Sequence, residues 1–140
     1  MTEIRLLTLE DYEAVIGFWK RMPGVGLREA DDSFEGFQRF LLRNPSSCFA
    51  AVKAGRIIGT ILAGTDGRRG YIYHLAVEPS ERRQGIGKSL AEAAMAALSA
   101  AGVTKTGLVV FADNDAGNSF WEKMGFTSRP DLIYRNKLNK

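Results

Sequence analysis

The chain has 140 residues, 45% hydrophobic and 25% charged, with 19 Lys and Arg against 16 Asp and Glu for a net charge of +3. Those values describe one ordinary globular domain with enough chain to bury a core, and they exclude wholesale disorder. A single cysteine, Cys48, and a single histidine, His74, exclude an internal disulfide framework and a structural zinc site, which needs four Cys or His ligands. The mild basic excess suits an anionic small ligand at least as well as nucleic acid. No apolar run is long enough to cross a bilayer, and Met1-Thr2-Glu3-Ile4-Arg5 lacks a signal-peptide layout. The cytosol is therefore the expected compartment, with no membrane partner.

No repeat or Pro/Gly/Ser linker divides the chain, so residues 1–140 read as a single domain. Residues 4–7 predict a short strand. Thr8 then caps a helix, with Asp11 at the third helical position and Tyr12, Val15, Ile16 and Trp19 as its apolar stripe. Met22 to Gly26 ends it. A second helix starts near residues 31–33, carries Phe34, Phe37 and Leu41 on one face, and stops before Asn44-Pro45. Strands follow at 48–53 and 56–63, joined by a hairpin at Ala54-Gly55, and at 71–77 after the turn pair Asp66-Gly67. From Gly85 the period changes to that of a helix, with Ile86, Leu90, Ala93, Ala94, Ala97 and Ala101 apolar, ending at Gly102. A buried strand at 107–111, a short helix at 116–124 and a last strand at 132–138 complete the order βααβββαβαβ. Hairpins followed by one β-α-β crossover predict an α/β (α+β) fold with a mixed, mostly antiparallel sheet and about four helices.

The chemistry lies in Leu75-Ala76-Val77-Glu78-Pro79-Ser80-Glu81-Arg82-Arg83-Gln84-Gly85-Ile86-Gly87-Lys88-Ser89. A strand runs into a turn, and the turn opens a helix through two glycines. A helix start offers unpaired N–H groups and the positive end of the dipole. Glycines admit a phosphate to that backbone, and Arg82, Arg83 and Lys88 add countercharge, which together describe a pyrophosphate site. A nucleotide P-loop would need glycine in place of Arg82. A dinucleotide fingerprint would need glycine in place of Leu90 and a leading βαβ unit, so neither fits.

Arg82-x-x-Gly85-x-Gly87 after a strand ending Leu-Ala-Val resembles the coenzyme A loop of the GNAT superfamily of acyltransferases. About thirty residues on, Asp113-Asn114 and Phe120-Trp121-Glu122-Lys123-Met124-Gly125-Phe126 are similar to the family's second signature, and the likeness spans nearly the whole chain. The general look resembles small bacterial members, ribosomal-protein alanine acetyltransferases among them. The resemblance implies a central sheet in which the strand at 71–77 splays from its parallel neighbour, with acetyl-CoA in the gap. It assigns Leu75, Ala76 and Val77 to backbone pairing with the pantetheine arm, and Arg82, Arg83, Gln84, Gly85, Ile86, Gly87, Lys88 and Ser89 to the pyrophosphate. Asn114 and Trp121 are implied on the cofactor as well, with no metal. It implies direct transfer to a primary amine of a small molecule or a protein N-terminus; a CoA- or acyl-CoA-binding module with lost or weak catalysis is the alternative. The partners are acetyl-CoA and an amine, without nucleic acid, and a homodimer is compatible with the sequence.

The chain departs from the family pattern at the proton-transfer positions. Trp121 stands where many members have a proton-donating tyrosine, and Val109 and Tyr71 stand where members carry a glutamate base. Either Tyr73 or His74 supplies acid–base chemistry, with Tyr71 nearby, or the thiolate leaves unassisted, since a thiol pKa near 8.5 makes it a fair leaving group. Strand alternation puts Tyr71 and Tyr73 on one face and His74 on the other, where it reads as a hydrogen-bonded structural histidine ahead of a catalytic one. Cys48 reads as a small buried hydrophobe, against the alternative of a nucleophilic pair with His74. The acidic run around Asp31 and Asp32 reads as a helix first turn; in this family the corresponding connection flanks the acceptor groove, which makes both candidates for contacting the amine.

Overall fold

The computed structural model describes residues 1–139. Two compact units make up the chain, Met1–Val109 and Val110–Lys140. In the first, β1 (Thr2–Leu6) leads through a single 3₁₀ turn, Leu9–Asp11, into α1 (Tyr12–Arg21). The Asp11 carboxylate accepts from the Thr8 N–H at 2.8 Å, the acidic half of the expected capping box, and also pairs with Arg5. A one-turn helix, α2 (Glu29–Asp32), precedes α3 (Phe34–Arg43), whose Ser33 cap accepts from the Gly36 N–H.

β2 (Phe49–Lys53) and β3 (Arg56–Thr65) form the predicted hairpin, and Ala54 and Gly55 both take positive φ (52° and 74°). That is the geometry of a type I′ turn, whose handedness matches the strand twist. β4 (Gly70–Val77) follows an Asx turn at Asp66, and α4 (Ile86–Ala100) crosses back to β5 (Thr106–Gly107). The sheet order is β1-β2-β3-β4-β5, antiparallel except for the parallel β4–β5 pair. This is the mixed, mostly antiparallel architecture expected from the sequence, with α2 as an additional single turn.

Helices cover both faces, which is why β3 is buried along nearly its whole length. On one face Val15, Phe18 and Trp19 of α1 and Phe37 and Leu41 of α3 pack with Leu7, Cys48, Ala50 and Leu62. On the other lie Ile86, Leu90, Ala91, Ala94 and Leu98 of α4. The α4 stripe thus falls on Ala91 and Leu98 rather than on Ala93, Ala97 and Ala101. Gly64 gives α3 room against the sheet: a Cβ there would lie 2.7 Å from both the Phe40 ring and the Asn44 amide. Among the described residues no helix is long and apolar enough to cross a membrane.

Two sequence expectations fail. The strand at 107–111 is not a buried strand: ladder pairing stops at Tyr71↔Gly107, and Val109 and Phe111 are more than half exposed. In the second unit, α5 (Asp115–Lys123) forms as expected, but residues 132–138 are not a strand. Their apolar side chains, Leu132, Ile133, Tyr134 and Leu138, are exposed, and alternation without a ladder partner does not make a strand.

Ala54→Asn relieves an alanine held in the left-handed region and is expected to raise stability by about 0.5–1 kcal/mol. Gly64→Ala overpacks the α3 contact and is expected to cost about 1–3 kcal/mol. Urea unfolding of the two variants, expected to shift the midpoint in opposite directions, checks both.

Candidate active site

The site is built on an irregularity in β4. Thr60 pairs with Ala76 and Leu62 with Tyr73, so Ile61 alone faces two residues, His74 and Leu75. The extra residue is a β-bulge, and His74 takes φ 48° to make it. The bulge overturns simple alternation. His74 is not opposite Tyr73; its ring lies edge-on to Trp19 (4.7 Å between centroids), on the α1–α3 face to which Tyr73 also turns against Phe40. Tyr71 and Tyr73 do share a face, 4.8 Å apart.

A buried network fixes the bulge. The Trp19 indole N–H donates to Thr60 Oγ1 at 2.8 Å, and that hydroxyl donates to the His74 carbonyl at 3.2 Å. The His74 ring is held by Asp32, whose Oδ1 lies 2.9 Å from Nε2, while Oδ2 accepts from the Arg28 N–H at 2.8 Å. Burial disfavours the Asp32 carboxylate, but the hydrogen bonds from His74 and Arg28 outweigh it and hold the group below the usual carboxyl value. An ionised carboxylate only accepts, so Nε2 carries the hydrogen, and the neutral imidazole has its lone pair on Nδ1. Nδ1 has no protein hydrogen bond among the described residues. Asp31, by contrast, is exposed and paired with Arg28 at 3.1 Å.

Among the described residues the β5 side of β4 has no ladder partner past Tyr71, which leaves the edge at Leu75, Ala76 and Val77 unpaired on that side. Beyond Val77 a 3₁₀ turn, Pro79–Glu81, leads into the glycine loop. Arg83 (φ 65°) and Gly85 (φ 78°) both take left-handed backbone, a geometry that gathers successive N–H groups into an anion-binding concavity. Gly85 is the α4 N-cap and offers no side chain, so the N–H groups of Ile86, Gly87 and Lys88 have no cap, and Ser89 N–H is the first to bond back. Among the described residues Arg82 and Arg83 make no ion pair, and Lys88 approaches only Glu92, at 4.0 Å. The loop's own carboxylates are engaged elsewhere: Glu81 with Lys53 at 2.9 Å and Glu78 with Arg21 at 3.1 Å. The Lys53 hydrogen bond keeps Glu81 below its usual value. Gln84 leans onto Glu81.

An open groove of about 300 Å³ lies beside Asp32. α1 supplies Tyr12, Ile16 and Lys20, the connection supplies Leu27 and Arg28, and α2 supplies Glu29 and Asp32. The Tyr12 hydroxyl donates to the Asp32 carbonyl at 2.7 Å. Sequence reading assigned Tyr12 and Ile16 to the core stripe; both are only half-buried.

Cys48 is no nucleophile for this site. It is buried against the Ala63 carbonyl, burial pushes its thiol up to about 12, and His74 is bonded to Asp32 instead. In the second unit, Asn114 caps α5 by accepting from the Gly117 N–H, and Trp121 is buried between Phe120 and Phe126. Among the described residues no three His, Cys, Asp or Glu side chains gather as a metal cluster would. Of the network residues, Thr60 carried no sequence signal and Trp19 read only as part of the first helix's apolar stripe, because only the strand register reveals the bulge they support.

The model of the acetyltransferase (GNAT) family matches residues 4–126. An acetyltransferase of Sodalis glossinidius is 35% identical over 135 residues, covering 96% of this chain and 94% of the relative. One from Pectobacterium atrosepticum is 36% identical over 124 residues, covering 89% and 86%. Among solved structures, the PaiA N-acetyltransferase of Thermoplasma acidophilum in complex with coenzyme A superposes with a TM-score of 0.78 at 25% identity, covering 92% of this chain and 91% of that one. The ribosomal-protein-S18-alanine N-acetyltransferase of Escherichia coli gives 0.72 at 23% identity, covering 92% and 79%.

Because its folded value lies below 3.8, Asp32 contributes stability in full above that pH and loses it as pH falls through the folded value. Wild type is expected to be more stable than Asp32→Asn at neutral pH, and the margin to shrink at about pH 3. Urea unfolding of both proteins at the two pH values measures it; an undiminished margin would contradict the assignment.

Proposed function

We propose that this chain, which belongs to the acetyltransferase (GNAT) family, is an acetyl-CoA-dependent N-acetyltransferase that passes the acetyl group directly to a primary amine. The observation that carries the reading is the uncapped start of α4, opening from two left-handed residues beside Arg82, Arg83 and Lys88. A pyrophosphate meets three unpaired N–H groups, a helix dipole and uncompensated cations there. Gln84 and Ser89 flank the same turn. The open edge of β4 at Leu75, Ala76 and Val77 offers backbone groups to the pantetheine amides and an N–H to the thioester carbonyl oxygen, where negative charge grows during attack. Asn114 and Trp121 join the cofactor set through the family's second motif. The coenzyme A complex of the Thermoplasma relative supports this cofactor class.

In this reading the amine nitrogen attacks the thioester carbon, a C–N bond forms and the C–S bond breaks. His74 Nδ1 takes the proton lost by the nitrogen, while Asp32 holds the ring and balances the imidazolium charge. Tyr73, exposed on the same strand, is the candidate proton donor to sulfur, which also leaves tolerably as a thiolate. Asp32 acts through His74, so it is a positioning residue; Asp31 stays a candidate acceptor contact. No metal, nucleic acid or membrane enters the reading, the compartment is the cytosol, and a homodimer is compatible with it.

A second reading, a CoA-binding module with weak or no catalysis, is favoured by Trp121, an indole where the family resemblance implies a proton-donating phenol. Gly87→Glu sets a carboxylate in the phosphate approach and is expected to weaken acetyl-CoA binding about a hundredfold or more, with an unchanged melting profile. Calorimetry checks it, and retained affinity would refute the cofactor site. His74→Gln is expected to lower kcat about 10²–10⁴-fold with acetyl-CoA affinity preserved. Amine-independent, unchanged thiol release in both wild type and His74→Gln would favour the binding module.

A further inference from the structure

From the charges of the groove beside Asp32 we infer that the acceptor is zwitterionic: a primary amine that carries its own carboxylate, with an apolar body, as in an amino acid or short peptide. The inference rests on the N-acetyltransferase reading above. Two of the groove's charged side chains are already committed, Arg28 to Asp31 and Asp32 to His74. Lys20 and Glu29 make no ion pair among the described residues, so one cation and one anion remain for a ligand.

Their positions separate the two signs. Tyr12, Ile16 and Lys20 are spaced four residues apart and share one face of α1, so Lys20 lies about 12 Å along the axis from Tyr12. Glu29 stands at the Tyr12 end: it opens α2, whose Asp32 carbonyl accepts from the Tyr12 hydroxyl, and both residues line the groove. The acidic end is also where Asp32 holds His74, the group placed to receive the amine's proton. A helical lysine side chain leans back toward the N-terminus, which carries the Lys20 ammonium over Ile16 and toward that end. Ile16 and Leu27, apolar and partly exposed, line the same groove.

Single-sign ligands fit poorly. A polycation gains at Glu29 and is repelled at Lys20; an anion without an amine meets the reverse. An amine with a carboxylate satisfies both, and its apolar side chain covers Ile16 and Leu27. A protein N-terminus or a polyamine supplies the amine and lacks the nearby carboxylate.

The test is a panel of apolar L-amino acids, each with its amide and its decarboxylated amine, plus spermidine, assayed with acetyl-CoA by thiol release. For the best amino acid, kcat/KM is expected to exceed that of its amide about tenfold or more, the worth of a charge-assisted contact. Lys20→Gln is expected to bring that ratio close to one, and Lys20→Arg to restore it. Amides, decarboxylated amines or spermidine turned over as well as the amino acids, or a ratio indifferent to Lys20→Gln, would overturn the inference. So would no turnover of any amino acid by a wild-type protein that still binds acetyl-CoA in calorimetry, a result that leaves the cofactor site standing. Failure to bind acetyl-CoA strikes the function reading itself.

Discussion

Most of the site depends on one extra residue in β4. With His74 and Leu75 set against Ile61 alone, the strand cannot keep a regular ladder on both sides. A histidine with φ 48° costs on the order of 1–3 kcal/mol unless its surroundings hold it. Here they do: Thr60 accepts from Trp19 and donates to the His74 carbonyl, and Trp19 also closes over the ring. Three consequences share this origin. The imidazole turns to the α1–α3 face, Ala76 regains register with Thr60, and the segment beyond Tyr71 presents an edge that β5 does not fill. A regular strand would have sent His74 toward α4 and away from Asp32.

The second organising element is the disposal of charge around the glycine loop. Glu78 and Glu81 sit in the same turn as Arg82 and Arg83 and could neutralise them locally. They are instead bound by Arg21 from the end of α1 and Lys53 from β2. Such exposed pairs are worth little as stability, so their effect lies in where the remaining charge stands. Two arginines are left beside uncapped helix N–H groups, and the net charge of +3, uninformative as a total, acquires a location.

The loop was legible in the sequence because its requirements are local. Gly85 must take a left-handed φ, Gly87 must leave room, and the cations follow within a few residues. The Ala54-Gly55 hairpin was readable for the same reason. What escaped depends on partners far along the chain. The bulge is a mismatch between residues 60–62 and 73–76, and no periodicity in either segment announces it. Alternation failed for His74 on that account, and it misled for residues 132–138, where an apolar pattern has no ladder to join. Asp31 and Asp32 look equivalent in sequence; the fold exposes one to Arg28 and buries the other against His74, forty-two residues away. A helix of one turn, α2, lies below the length at which periodicity can speak.

Asp32 links these levels. Burying a carboxylate is unfavourable, and the site tolerates it because each oxygen has a donor, one from the His74 ring and one from the Arg28 backbone. The same two bonds have different consequences. The first sets the imidazole tautomer and aims the free Nδ1 lone pair; the second, with the Tyr12 hydroxyl on the Asp32 carbonyl, fixes a helical turn too short to persist alone. The wall of the groove and the orientation of the base are therefore one arrangement, and α2 cannot move without releasing His74. With the only thiol buried and held near pKa 12, covalent relay through cysteine has no support, and in the proposed reaction rate enhancement comes from holding amine and thioester together. A carboxylate that positions both the groove and the imidazole suits the proposed catalysis, in which correct placement of the amine and availability of the base become the same event.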